Sequence, residues 1–507
     1  MMLHAQSRVQ LPAMNRVGLS SRAGPSKAVF NPLKIRSTRL PQKLSGVKSV
    51  SHSRRTLKVS AVLSVPPNDK GMQMIPEGTP TWGPGTPEYV AEWRRNLDLK
   101  AWGSEMRALE RELKQNQDQE DVKHMKWVLT AANVCYFAGL ALAGVCNPMS
   151  GNPIAAILMS TAIFARWTMV GHHVSHGGYN GQQVEDDGTL GRWHRKSFAK
   201  GVQRRVVDWL DWMLPEAWDV EHNNLHHYKL GEAGDPDLVE RNLESIRDSG
   251  MPYWMRYAQV AGLALIWKWY YYAPNTLKEM LAFNKAKRDK NSKLAPVENP
   301  FEATGTHPAS MEWVVKRLIT KGDWKPMAAM MKIFAPPFLY TYVLAPIPFF
   351  LFGGVQMGCI VLANMFLADI ITNIHSFIVI TTNHCGKDVY RFETTVKPKS
   401  DEFYLRAVIG SVNYRTAATT PFHPKDKPAG PLGEINDFMH GYLNYQIEHH
   451  MFPDLSMKSY QKAMPRVKEA CERHGIPYVQ ESVWTRLKRT TEIMTGSKNM
   501  LVWEAGH

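Results

Sequence analysis

Eight of the 19 histidines in this chain fall into three short clusters. Two clusters contain a pair of histidines four residues apart, a spacing that puts both side chains on one face of an α-helix. The third ends in two adjacent histidines, whose side chains point about 100° apart on a helix and can serve different centres. The clusters are His172, His173 and His176; His222, His226 and His227; and Gln446, His449 and His450.

Histidines in this number and arrangement predict a site for two metal ions. Imidazole suits iron, copper, nickel and zinc, and more than four histidines exceed the ligand set of one tetrahedral zinc ion. The adjacent pairs His226-His227 and His449-His450 then offer one member to each of two neighbouring metals. A single HxxxH pair occurs by chance on exposed helices, so the prediction depends on finding the three clusters together.

Four apolar stretches predict the elements that position these histidines. The first has twenty residues without a formal charge, which matches the roughly 20 needed to cross a ~30 Å hydrocarbon core. The stretches are residues 127–146, 153–170, 327–352 and 355–382, the last two separated by Gly353-Gly354. Because two spans precede the first two clusters and two more precede the third, all three clusters can meet on one membrane face. A large soluble all-α protein with buried helices is the alternative.

The sequence therefore predicts an all-α integral membrane protein with about four transmembrane helices in two hairpins and a helical cap that carries the site on one membrane face. Residues 97–123 are expected to form an amphipathic helix along a surface or at a membrane interface, and residues 255–274 an interfacial or re-entrant helix. The predicted divisions are a transit peptide (1–61), a linker with the amphipathic helix (62–123), the membrane domain (124–480) and a C-terminal tail (481–507).

The formal net charge of +15 is concentrated at the N-terminus. The first acidic residue is Asp69, and the residues before it include 12 Lys and Arg. The rest of the chain has 49 basic and 46 acidic residues. This near balance does not indicate nucleic-acid binding. An acid-poor segment rich in Arg and Ser is typical of an organelle transit peptide, and Val59-Ser60-Ala61-Val62 resembles a chloroplast-type processing site. We therefore predict a multi-pass protein of a plastid (chloroplast) membrane. A basic tail that stays attached is the alternative.

The ordered motifs HxxxH, HxxxHH and QxxHH, separated by two predicted membrane hairpins, resemble those of the membrane-bound fatty acid desaturases. The segment QIEHHMFPDLSMKSYQKAMPRVKEACERHGIPY, residues 446–478, is similar to the terminal segment of their front-end branch. The resemblance covers roughly residues 122–478. It implies that two iron ions are held by box histidines, which here are His172, His176, His222, His226, His227, His449 and His450.

The same resemblance implies a further histidine after the last membrane helix, for which His384 and His375 are candidates, and the TNH context favours His384. Gln446 stands where related branches have histidine, so it either binds metal weakly or acts through a bound water. His173 occupies a place where an acid is common and is a secondary candidate. Ligating histidines usually donate their other N–H to a carboxylate or carbonyl. The candidate acids for this role are Glu221, Asp235, Asp237 and Glu448, although the GDPD sequence at 234–237 also suits a simple turn.

These features predict an O2-dependent acyl-lipid desaturase that introduces a cis double bond into a fatty acyl chain of a plastid membrane lipid. The expected cofactors are two ferrous ions, with O2 as co-substrate. Many front-end desaturases carry a fused haem domain with an HPGG motif, which this sequence lacks, so electrons are expected from a separate partner, and a plastid setting suggests ferredoxin. The oligomeric state stays open.

Three other functions fit part of the pattern. A hydroxylase acting on lipids or carotenoids would use the same histidines and differ only in its product. A membrane zinc protease would need HExxH, and His173 stands where that glutamate should be. A metal-storage or transport protein would place its histidines or acids inside the spans.

Overall fold

The computed structural model describes residues 93–94, 96–145, 152–291, 294–416 and 430–503. The predicted transit peptide and most of the predicted linker lie outside these residues. The α-helices run Leu99–Gln115, Gln119–Ala143, Pro153–Phe164, His172–His176, Gly201–Asp208, Pro215–Trp218, His227–Lys229, Val239–Asn242, Glu244–Arg247, Tyr253–Trp267, Ala273–Lys290, Met311–Lys321, Lys325–Phe338, Ile347–Ile380, Asp401–Ile409, Pro431–Met439, Gln446–Met451, Met457–His474 and Val483–Met494.

Two other helix types and four short strands complete the fold. The π-helical segments are Ala165–Gly171, Asp219–His226, Lys268–Tyr272 and Leu339–Leu344, and the 3₁₀ turns are Asn180–Gln182, Glu302–Thr304, Thr381–Asn383 and Leu443–Tyr445. The strands form two parallel pairs, which are Tyr390–Phe392 with Leu501–Trp503 and Asn413–Tyr414 with Gln480–Glu481. The described part of the chain is thus mostly helical.

Among the residues that the structure describes, four helices are long and apolar enough to cross a membrane, as the sequence predicted. In chain order the four candidate spans are Gln119–Ala143, Pro153–His176, Lys325–Leu344 and Ile347–Asn383. Large apolar side chains point outward from them, including Phe137, Leu351 and Phe352, the last of which is 91% exposed. An exposed apolar surface of this kind is typical of contact with lipid. That the spans form two hairpins beneath a one-sided cap stays a prediction.

The first span begins earlier than predicted, at Gln119, and the later boundaries differ at two further places. The second span continues as helix to His176 through the π segment Ala165–Gly171, so the first histidine cluster belongs to the span itself. The third span ends at Leu344, and the helix resumes after Pro346, which has no N–H to continue a helical ladder. The predicted break at Gly353-Gly354 is instead a kink inside the fourth span, where Gly354 has φ 74°.

The helix Leu99–Gln115 turns its apolar face toward protein. Trp102 and Met106 are fully buried, and the helix packs against the helices Asp401–Ile409 and Met457–His474. The face available for burial is therefore taken up by the fold and not by a membrane.

Buried polar side chains tie the fourth span to the first two. The Asn364 side chain accepts a hydrogen bond from the backbone N–H of Asn152 (2.7 Å) and donates one to the Ala143 carbonyl (3.0 Å). Farther along, Thr372 donates to Ser160 over 3.0 Å. Both spans end at a predicted ligand, the second at His176 and the fourth just before His384. Fixing the two spans therefore brings these ends together.

Residues of the predicted C-terminal tail are built into the fold as far as Trp503. The helix Val483–Met494 packs against the end of the fourth span, and the strand Leu501–Trp503 pairs with Tyr390–Phe392. The segment that follows the fourth span is thereby held from both sides.

Candidate metal centre

The three histidine clusters, distant in sequence, meet in the protein interior together with His384. Ring centroids lie 4.3 Å apart for His176 and His227 and 4.6 Å apart for His172 and His449. His227 and His450 stack at 4.3 Å. Every histidine of the three clusters is buried.

The histidines divide into two groups. Each member offers one ring nitrogen, and within each group these atoms lie within 4.8 Å of one another. The five-histidine group is His172, His176, His222, His227 and His449. The three-histidine group is His226, His384 and His450. Each adjacent pair, His226-His227 and His449-His450, therefore has one member in each group, as their neighbouring positions predicted.

The π-helical segment Asp219–His226 explains how the second cluster serves both groups. A π-helix has i→i+5 hydrogen bonds and a wider turn than an α-helix, and such segments recur at functional sites. Here His222 joins His227, five residues later, while His226 joins the other group. An Asp237 oxygen also lies within 4.8 Å of ring nitrogens of His222 and His226, so this i, i+4 pair still faces one region of the centre.

Many ring nitrogens of these histidines are buried without a hydrogen-bond partner. They are His176 Nε2, His222 Nδ1, His227 Nδ1 and Nε2, His384 Nδ1, His449 Nε2, and His450 Nδ1 and Nε2. A buried polar atom left unpaired costs about 1–3 kcal/mol. Such a concentration in one place is accounted for by ions that take the free lone pairs, so the residues fit a pair of bound metals.

Five histidines outside the spans are held neutral, which is the form that binds metal. For His222, His227 and His449, burial and then the neighbouring histidines lower the pKa well below its usual range. The same causes lower the pKa of His384 and His450. Protons therefore compete weakly with a cation at this site.

Hydrogen bonds from the other ring nitrogen orient several of these histidines. His226 Nδ1 contacts Asp235 Oδ1 at 2.8 Å, and although burial disfavours the charged ring, this carboxylate raises the pKa of His226. His449 Nδ1 donates to the Tyr460 hydroxyl over 3.1 Å, and His172 Nδ1 donates to the Thr168 carbonyl over 3.1 Å. Each bond leaves the Nε2 side of the ring facing the centre, where Nε2 of His172 lies 2.8 Å from Nε2 of His222, and this arrangement is typical of ligating histidines.

Comparison with known proteins agrees with this geometry. Residues 152–482 match the family model described as "Fatty acid desaturase". This chain belongs to the fatty acid desaturase family. The family and the named relatives make the protein an oxidoreductase, a desaturase of fatty acids.

Relatives of this desaturase include bacterial and mammalian proteins. It is 23% identical over 405 residues to the "NADPH-dependent stearoyl-CoA 9-desaturase" of Mycobacterium tuberculosis, which covers 78% of this chain and 79% of the relative. A shorter match, to the mouse "Fatty acid desaturase 2-like protein FADS2B", is 44% identical over 49 residues and covers 10% of each chain. "Fatty acid desaturase 3" of Bos taurus is 37% identical over 67 residues, 13% of this chain and 15% of the relative.

The two candidates for the histidine after the last membrane helix lie in different surroundings. His384 lies in the three-histidine group, with Nε2 3.0 Å from the Gln446 amide nitrogen. The two atoms of that amide group are interchangeable by rotation, so Gln446 can turn its oxygen toward the same place. His375 instead donates to the Met439 carbonyl (2.7 Å) and stacks on Phe164. His173 lies outside both groups, with Nδ1 donating to the Met169 carbonyl over 2.7 Å.

The four candidate acids have different surroundings. Asp235 holds His226, and Asp237 offers an oxygen within 4.8 Å of nitrogens of His222 and His226. Burial raises the pKa of Asp237 to about 6, and burial followed by the Asp237 carboxylate raises that of Glu221 well above its usual range. The Glu448 carboxylate accepts hydrogen bonds from Asn413 and Tyr478, so the structure does not place it against a histidine.

Arg486 fixes the loop that carries His384, a role that no sequence motif indicated. Its guanidinium donates to the Cys385 carbonyl over 2.9 Å and to both Asp388 oxygens, and it also pairs with Glu481. Thr490, on the same helix, donates to the Cys385 carbonyl over 3.0 Å. The position of His384 therefore depends on the C-terminal helix.

We expect Arg486→Met to lower the free energy of unfolding by roughly 3–5 kcal/mol, because it leaves Asp388 and Glu481 buried with a weaker countercharge. Arg486→Lys keeps the charge but not the fork that reaches Cys385, so it should recover part of this stability. Thermal unfolding in detergent and metal analysis of both variants check this. Unchanged unfolding and metal content in Arg486→Met would show that the helix does not fix the loop.

A cavity of about 1110 Å³ leads to the three-histidine group. Its inner wall is formed by Trp267, Phe377 and Ile380, and His384 also lines it. Val260 and Leu263 continue the apolar lining farther out. A mostly apolar cavity that ends at a polar site suits a long hydrocarbon chain.

Proposed function

We propose that this desaturase introduces a cis double bond into a fatty acyl chain of a plastid membrane lipid. It would use two iron ions, dioxygen and electrons from an external carrier, for which ferredoxin is the expected protein. The observation that carries the proposal is the pair of histidine groups, one of whose members, His384, lines the apolar cavity.

The donor set supports iron at both positions. Imidazole nitrogens suit first-row transition metals, and a histidine-rich set with open positions suits reaction with dioxygen. With bound iron, the site would supply the oxidation that removes one hydrogen from each of two adjacent methylene carbons. These two hydrogens, two external electrons and two protons from water would reduce one dioxygen to two molecules of water. The ligands proposed are the eight histidines of the two groups, with Gln446 beside His384.

The protein's own residues would hold the substrate and exclude water. The apolar cavity wall binds the acyl chain, and the ring of His384 marks where the chain comes nearest the three-histidine group. Holding the reacting carbons in a fixed place accounts for much of the rate acceleration, because the bound chain does not have to reach the reactive geometry by random encounter. Asp235 and Tyr460 keep the histidine rings they contact in a fixed orientation.

Topology and location form part of the proposal. The second and fourth candidate spans both end at the histidine groups, which supports two hairpins with the site on one membrane face. The basic, acid-poor N-terminal segment supports a plastid location. The similarity of residues 446–478 to the front-end branch supports a place in that branch, without a fused haem domain.

Lipid analysis tests this function directly. A cyanobacterial host, which supplies ferredoxin and glycolipids, should gain an unsaturated acyl species when it expresses residues 62–507, and double-bond localisation by mass spectrometry gives the position. The double variant His449→Ala, His450→Ala removes one member of each group and should yield none, whereas His375→Ala should retain the product.

New oxygenated acyl or carotenoid products would instead identify a hydroxylase. Iron-loaded protein in membranes whose lipids stay unchanged would contradict both activities for the lipids of that host.

A further inference from the structure

The cavity that leads to His384 opens along one face of the helix Tyr253–Trp267. Gln259, Gly262 and Ile266 all line the cavity, and their spacing of three and four residues puts them on one helix face. All three are also exposed, so the cavity opens to the outside along this face. We call this opening the slot.

The other edge of the slot is formed by the helix Met311–Lys321. Glu312 and Lys316, four residues apart on this helix, are exposed and line the same cavity. Tyr270 donates a hydrogen bond to Glu312 over 2.6 Å, so the two sides meet at one end. The slot is thus closed near Tyr270 and open beside Gly262.

The surroundings of the slot are apolar and continuous with the membrane spans. The helix Tyr253–Trp267 packs along the fourth span, where Trp267 and Phe377 have ring centroids 6.3 Å apart. Its outward side chains include Trp254, 71% exposed, and Leu265. Tryptophan and tyrosine favour the boundary between headgroups and hydrocarbon. Lipid therefore covers this helix, and the slot faces lipid.

We infer that the acyl chain of a membrane lipid enters this desaturase sideways through the slot, passing Gly262 on its way to His384. The inference rests on the proposed function and adds the route and the residue that keeps it open. The polar headgroup stays at the edge, where Gln259, Glu312 and Lys316 offer polar partners. The chain passes inward along Leu263 and Trp267.

Gly262 leaves the slot open at its position. Glycine within a helix costs about 1 kcal/mol relative to alanine. A Cβ atom built at Gly262 would meet no heavy atom within 4 Å, so the packing of this protein does not require glycine there. A larger side chain at this position would occupy the slot while leaving the helix intact.

Photo-crosslinking tests the route without requiring turnover. The full-length protein is placed in phosphatidylcholine nanodiscs that contain a small fraction of the same lipid with a diazirine in the middle of one acyl chain. After illumination, mass spectrometry should find label on Leu263, Trp267 and Phe377 inside the cavity. Gly262→Leu should reduce this inner label at least tenfold and leave label on the outer face unchanged.

The matched control is Ala261→Leu, which adds the same side chain to the adjacent residue, one that does not line the cavity. It should leave the inner label at the wild-type level. Gly262→Leu should unfold at or above the wild-type temperature because leucine favours helix over glycine, and Ala261→Leu should unfold close to it because alanine and leucine are both strong helix formers. Equal inner label in Gly262→Leu and wild type would overturn the route. A second result would also overturn the route. If a water-soluble acyl thioester carrying the same diazirine still labels the inner residues of Gly262→Leu, the acyl chain enters from water.

The outcome is separable from that of the proposed function. Inner label that depends on Gly262, in a protein that forms neither a double bond nor an oxygenated product, supports the slot and contradicts the activity. Full desaturation by Gly262→Leu supports the activity and contradicts the slot.

Discussion

Replacing His384 with alanine is expected to reduce the bound iron from two ions to one and to abolish desaturation. His384 is one of only three histidines in its group, so its loss leaves two imidazoles, too few to hold an ion firmly. His176→Ala should have a much smaller effect on iron content, because four imidazoles of the five-histidine group remain. Anaerobic loading with ferrous iron, followed by elemental analysis per mole of protein, measures both.

The matched control for this comparison is His375→Ala. His375 lies on the fourth span nine positions before His384, and its hydrogen bond to Met439 keeps it out of both groups. The variant should bind two ions and retain activity. Two ions in His384→Ala, or an equal loss in His375→Ala, would contradict the assignment of the three-histidine group.

Removal of the metal is expected to destabilise the protein by about 4 kcal/mol or more, the linkage energy for an ion present at a thousandfold its dissociation constant. The reason is local, since stripping the ions leaves the ring nitrogens of the two groups buried and unpaired. Thermal unfolding in detergent, with and without a chelator, should show a lower transition temperature for the stripped protein, and ferrous iron should restore it.

The double variant His449→Ala, His450→Ala provides the comparison for this effect. It removes a ligand from each group, so its unfolding should respond little to chelator or to added iron. An unchanged transition temperature in stripped wild-type protein would mean that the histidine groups do not depend on metal for their stability.

Residue types and apolar runs were sufficient to predict the histidine clusters and the four candidate spans. Both signals are local: a charged residue within an apolar run is costly in lipid, and a histidine pair is visible in the sequence. The boundary between the third and fourth spans near Pro346 was missed because the sequence stays apolar on both sides of it. The helix breaks there because proline has no backbone N–H to donate.

The division of the histidines depended on features that spacing cannot reveal. His222 and His227 share a group because the segment Asp219–His226 is a π-helix, and the choice between i→i+4 and i→i+5 bonds follows from packing. His384 and His375 are both near the end of the fourth span, and only the end of the α-helix at Ile380 determines which reaches the group. Sequence context favoured His384, and the structure supplies the geometric reason.

Arg486 could not be found from the sequence for a different reason. Its partners Asp388 and Cys385 lie 98 and 101 positions earlier, and a lone arginine in a charged helix carries no local signal of such contacts. Only the folded chain shows that the last helix holds a ligand of the centre.

The contact of Arg486 with the Cys385 carbonyl sets an order of events in biosynthesis. When the ribosome has just completed the fourth span, His384 is already made, yet the helix that fixes its loop is still untranslated. His449 and His450 likewise follow the last span. The centre therefore closes only in a chain that already contains its last helix, and loading with metal is a late maturation step of the finished polypeptide.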